Sequence, residues 1–89
     1  MKIFFTKHFK KSYKKRIQPN RNLEKRFDQR YDIFILDTTN PLLKDHSLTG
    51  KLRDHRAFSI TRDIRVVYYI HKNIAYFVDV GTHNQVYKD

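Results

Sequence analysis

The sequence predicts an α+β domain in which two N-terminal helices pack on one face of a four-stranded, mainly antiparallel sheet, in the order βααβββ. Three observations point there. A short apolar run opens the chain, two segments with apolar residues every three or four positions follow, and the last third is a series of apolar runs broken by tight turns. Helices followed by a strand meander pack to one side of an antiparallel sheet and leave the other side free.

KIFFT, residues 2–6, is rich in strand formers and reads as the first strand. Thr6 then suits the cap of a helix over 7–18, whose apolar positions Phe9, Tyr13 and Ile17 form one stripe, and Pro19 ends it. Asn20 or Asn22 caps a second helix running to about Leu36, with Leu23, Phe27, Tyr31 and Phe34 on its inner face. Residues 42–53 read as a loop. HRAFSI (55–60) alternates with period two, a turn follows at 61–63, and IRVVYYI (64–70) is apolar enough for a central strand. After a turn at 71–73, IAYFVDV (74–80) is the last strand; Gly81 is expected to break it and leave 82–89 as a tail.

With 89 residues, one domain spanning 1–89 is expected, with a single modest core. There is no cysteine, which removes disulfides and cysteine-based zinc sites and fits a cytoplasmic protein. The N-terminal apolar stretch is too short for a secretion signal, and no stretch approaches a membrane span, so no membrane partner is expected. The formal charge is +10, and residues 1–30 carry 11 Lys or Arg against 2 acidic residues. A localised basic surface suits a polyanion, an acidic protein segment, or plain solubility. Five histidines without cysteine and without HExxH spacing do not make a metal site, and no cofactor is expected.

Three C-terminal segments carry a resemblance: KDHSLTG (44–50), the strand pair around Arg56 and DIRVVY (63–68), and VGTHNQVY (80–87). Together with the βααβββ order they resemble the RelE superfamily of toxins, closest to its YafQ branch. That resemblance implies the toxin of a type II toxin–antitoxin pair, an endoribonuclease that cuts mRNA on the ribosome and is neutralised by a cognate antitoxin supplied as a separate chain. Residue by residue, it implies active-site roles for His46, Asp63 and His83. Substrate contacts fall on Arg65, on Arg56 one strand earlier, and on Tyr87, with Lys44 beside His46. YafQ relatives carry a further histidine on the strand before the turn, where the ungapped match places Ser59. Ser59 cannot titrate near neutrality, so a proton role at that position is lost unless a bulge brings His55 closer.

The chemistry of these residue types fits metal-free RNA scission. A base must take the 2′-hydroxyl proton, an acid must protonate the leaving 5′-oxygen, and cations must stabilise the phosphorane. Histidine serves either proton task because its ordinary pKa is ~6.5. His83, in a small polar segment after the last strand, is the expected acid; His46 or Asp63 is the expected base. Each also has a plain reading: His46 bonding a backbone group, Asp63 shaping a turn. Arg65 interrupts an apolar strand, so it either clamps phosphate or pairs with Asp63 or Asp79. Strand parity groups Arg56 with Phe58 and Ile60, away from Arg65. Tyr87 is read equally as a base-stacking residue or as a terminal anchor. The rivals are a ParE-like gyrase poison of the same fold, a non-catalytic RNA- or ribosome-binding module, and a toxin disabled at Ser59.

Overall fold

In the computed structural model, which describes residues 1–87, three helices and five strands are present among the described residues. They are β1 (Lys2–Phe5), α1 (Lys7–Arg16), α2 (Arg21–Leu36), β2 (His46–Ser47), β3 (Arg56–Ser59), β4 (Ile64–His71), β5 (Ile74–Thr82) and α3 (His83–Val86). Short 3-10 turns at Pro41–Leu43 and Gly50–Leu52 flank β2. The sheet order is β1-β5-β4-β3-β2. Only the β1–β5 pair is parallel; all others are antiparallel. The expected sheet thus gains a fifth strand. At two residues, β2 is too short to show any periodicity, and only its pairing with Ala57 and Arg56 reveals it.

Thr6 joins the first two elements. Its N–H and hydroxyl both donate to the Phe77 carbonyl, at 3.1 and 2.9 Å, and its Oγ1 accepts from Phe9 N at 3.1 Å, capping α1. Asn20 caps α2 through Oδ1. Lys72 and Asn73 both have positive φ, as a two-residue type I′ hairpin between β4 and β5 requires.

The helices cover one face. Phe9, Ile17, Phe27, Phe34, Phe58, Tyr68 and Phe77 form a largely aromatic core with Val66 and Val80. Phe77 is fully buried, with ring centroids of Phe5, Phe9, Phe34, Phe58 and Tyr68 within 6.1 Å. Phe77→Ala is expected to cost about 3–5 kcal/mol, a large share of the stability of so small a domain. A denaturant midpoint unchanged by that substitution would show that Phe77 is not the centre of the core.

Behind the helices, Asp45 forms a second stabilising group. It accepts from Arg56 Nε at 2.6 Å and from the Tyr68 hydroxyl, and its own side chain is only 8% exposed. Burial first, then the bond to Asp45, holds the Tyr68 hydroxyl well above its ordinary range. Because its folded pKa is raised, the neutral hydroxyl contributes stability that is complete below pH ~10 and is lost as pH rises above it, where the unfolded chain ionises first. Alkaline titration of the unfolding free energy should show this loss, and Tyr68→Phe should reduce its slope.

Candidate functional site

Strand alternation sorts the candidate residues between two faces. On β4, Val66 and Tyr68 enter the helix-covered core, so Arg65, Val67 and Tyr69 point to the opposite face. Ala57 pairs with Val67 on one side and with His46 on the other, which places His46 on that same helix-free face. Arg56 pairs with Tyr68 and so belongs to the helix side, where it meets Asp45. Neighbouring residues Asp45 and His46 therefore serve different faces.

On the helix-free face a cleft of about 570 Å³ is lined by His46, Arg65, His83, Tyr87 and the 47–52 segment, which supplies Leu48, Leu52 and Lys51. His46 Nδ1 lies 3.0 Å from the Lys44 carbonyl. A carbonyl only accepts, so Nδ1 carries the proton and Nε2 of the neutral ring keeps its lone pair. Lys44 makes this contact from a left-handed backbone (φ 49°) at the end of the 3-10 turn.

Arg65 is half-buried, and it has no ion-pair partner among the described residues. Asp79, one of its two expected partners, instead meets Arg16 at 3.2 Å and His8 at 3.5 Å. The Arg65 guanidinium lies over the Tyr87 ring at 5.7 Å, and its Nε is buried without a hydrogen-bond partner among the described residues. The His83 ring packs edge-on against Tyr87 at 4.6 Å. Tyr87 thus contacts both a guanidinium and an imidazole, and among the described residues its own buried hydroxyl has no partner.

β5 does not break at Gly81 but continues to Thr82, and 83–86 form α3 rather than a loose tail. The reason is a capping box: Thr82 Oγ1 accepts from Gln85 N at 3.3 Å, and Thr82 N donates to Gln85 Oε1 at 2.9 Å. His83 is the first residue of that helix. Gly81 sits at a close approach: a Cβ there would lie 2.6 Å from Gln85 Oε1 and 2.9 Å from Arg16 Nη1, so these two side-chain tips would have to move. Arg16 is itself held, donating to the Val80 carbonyl at 3.0 Å. Gly81→Ala should therefore break the capping box, lower stability by about 0.5–2 kcal/mol as lost caps do, and displace His83. Near-wild-type amide exchange at Gln85 in that variant would contradict this.

Of the remaining sequence candidates, Lys44 and Arg56 line a separate depression with Asp45 and Tyr68. Ser59 lies in another, with Arg26, Arg30 and Thr61. Ser59 pairs with Arg65 across regular β3–β4 register; the bulge in the sheet falls between β4 and β5 instead, so no bulge in β3 moves His55 toward the cleft. Asp63 is exposed in the turn, where its N–H donates to Thr61 Oγ1 at 3.3 Å, and it is not among the cleft-lining residues. Lys51 was missed in the sequence; its only signal there is a cation next to Gly50 in the segment after His46. No group of three or more metal-ligating side chains occurs among the described residues, and no helix there is long and apolar enough to cross a membrane.

Comparison with known proteins gives a consistent picture. Residues 1–88 match the family model described as "Bacterial toxin of type II toxin-antitoxin system, YafQ". No curated protein matches. Among solved structures, a metal-bound toxin from Helicobacter pylori is 27% identical, with a TM-score of 0.77 over 98% of this chain and 99% of that one. YafQ from E. coli strain BL21(DE3) is 18% identical with a TM-score of 0.81, covering 96% of each chain. The E. coli DinJ-YafQ complex matches at 20% identity and a TM-score of 0.78, also over 96% of each chain.

Proposed function

Because the chain belongs to the YafQ family of bacterial toxins of type II toxin–antitoxin systems, we propose that it is an endoribonuclease that cuts mRNA, on the ribosome, without a metal cofactor. The observation that carries this is the convergence of His46, Arg65, His83 and Tyr87 on one cleft of the helix-free face. His46 Nε2 takes the proton of a ribose 2′-hydroxyl as the oxygen attacks the adjacent phosphorus. The P–O5′ bond breaks, and the leaving oxygen takes a proton from His83. The products are a 2′,3′-cyclic phosphate and a 5′-hydroxyl. Arg65 faces the phosphorane oxygens with a planar fork that no carboxylate among the described residues engages. Tyr87 packs against both Arg65 and His83 and offers a ring to the nucleotide.

Asp63 sits at the same end of β4, two residues before Arg65, and orients the substrate or the leaving group from outside the cleft. Lys44 and Ser59 bind RNA backbone outside the cleft rather than reacting atoms, and Arg56, held by Asp45 on the other face, supports the fold instead. The basic faces of α1 and α2 contact ribosomal or messenger RNA, which gives affinity and salt dependence without base choice. A separate antitoxin chain with an acidic segment neutralises the toxin, a pairing for which the E. coli DinJ-YafQ toxin-antitoxin complex is the precedent, and the site of action is the cytoplasm. Expression of the wild type in bacteria should arrest growth and generate new mRNA 5′ ends, whereas a His46→Ala/His83→Ala variant should do neither. Arrest by both would remove the enzymatic reading and favour a non-catalytic or gyrase-directed toxin.

A further inference from the structure

One face of the sheet carries an aromatic row that neither the core nor the cleft uses. Phe4 pairs with Tyr76, and Tyr76 with Tyr69, directly across β1, β5 and β4, and His55 extends the line just before β3. Ring centroids are 5.6 Å apart for Phe4 and Tyr76, 4.8 Å for the nearly parallel Tyr76 and Tyr69, and 5.2 Å for Tyr69 and His55. Tyr69 shares its face of β4 with Arg65, four residues away, so the row runs roughly 13 Å from the cleft. Phe4 closes the row on the edge strand and is 52% exposed. At the inner end, His55 Nδ1 is buried without a hydrogen-bond partner. The next row along the same face holds exposed Lys2 and His71, flanking Ile74.

We propose that Phe4, Tyr76, Tyr69 and His55 form a stacking surface for unpaired bases of the RNA strand whose scissile bond lies in the cleft. This rests on the cleft being an RNA-cleaving site. Every base has a π face, so a stacked aromatic row that ends in an exposed ring binds single strands with little sequence preference. The half-exposed Phe4 ring is where a base can extend the stack. Lys2 and His71 stand beside the row as partners for the phosphates that link those bases, and the strongly basic chain favours the same ligand.

The test measures binding of the full chain to short fluorescein-labelled 2′-O-methyl oligoadenylate, which cannot be cut by 2′-hydroxyl attack. Phe4→Ala/Tyr76→Leu should weaken binding roughly tenfold, within the range of about five- to 150-fold that stacking of one base on an aromatic ring is worth. The slope of affinity against salt should stay at the wild-type value, because no phosphate contact is lost. An abasic backbone of the same length should bind both proteins equally. The single edge variant Phe4→Ala, whose ring lies outside the core, should show a smaller loss in the same direction and guards against misfolding of the double variant. Affinity for oligoadenylate within twofold of wild type in both variants would overturn the proposal. So would a loss shared equally by the abasic strand, or a change only in self-association, which would assign the row to a second copy of the chain. Absence of cleavage by the wild type would sink the catalytic reading but leave this binding result standing.

Discussion

Replacing His83 with alanine should lower the rate of RNA cleavage by about 10²–10⁴-fold, the usual worth of a positioned proton donor, with little change in RNA affinity. His83 is exposed at the start of α3 and packs only the edge of Tyr87, so its removal should move stability by no more than about 0.5 kcal/mol. The substitution thus separates chemistry from folding. Cleavage by His83→Ala at the wild-type rate would place the acid elsewhere.

Arg65→Ala should cost about 10²–10³-fold in the same rate, the magnitude seen when one fixed stabiliser of a developing oxyanion is removed. Arg65→Lys should recover little of it, because an ammonium cannot reproduce the two-pronged contact or the stacking on Tyr87. The stability of both variants carries equal weight. A structural arginine in a central strand would be held by a carboxylate, and losing it would destabilise the fold. Among the described residues Arg65 has no such partner and its buried Nε is unsatisfied, so taking away the charge removes a desolvation cost. Activity should collapse while the denaturant midpoint holds or rises. The reverse pattern, stable activity and a falling midpoint, would make Arg65 a structural residue.

Much of this arrangement was readable in the sequence, for physical reasons that differ from one element to the next. The α1 stripe of Phe9, Tyr13 and Ile17 and the apolar run of β4 are long enough for periodicity to speak, and Arg65 stood out there as the one charge in an apolar strand. Parity separated Arg56 from Arg65, and the structure shows why that matters: Arg56 is committed to Asp45. What escaped had no local signature or a misleading one. The fifth strand, His46–Ser47, is defined only by its partner. The parallel pairing of β1 with β5 joins residues more than 70 positions apart, as the Thr6 to Phe77 bonds show, and no pattern within either strand announces it. Asp45 looked like a loop residue because its partners, Arg56 and Tyr68, are distant in the chain. Gly81 read as a strand breaker, although Thr82 and Gln85 spelled a capping box that carries the chain straight into a helix. The candidate site shows the same division. The residue types were visible, but the company each keeps depends on alternation and on the 47–52 segment folding over the sheet, which composition cannot express.

The most direct test of the central claim is the chemistry of the cut ends. The purified chain is incubated with a defined RNA in the presence of EDTA, and the 3′ termini of the products are identified by mass spectrometry. Attack by the neighbouring 2′-hydroxyl within a cleft of imidazoles and a guanidinium predicts 2′,3′-cyclic phosphate, or its 3′-phosphate hydrolysis product, with 5′-hydroxyl on the other fragment. Fragments ending in 3′-hydroxyl, or cleavage that stops when EDTA is added, would contradict it.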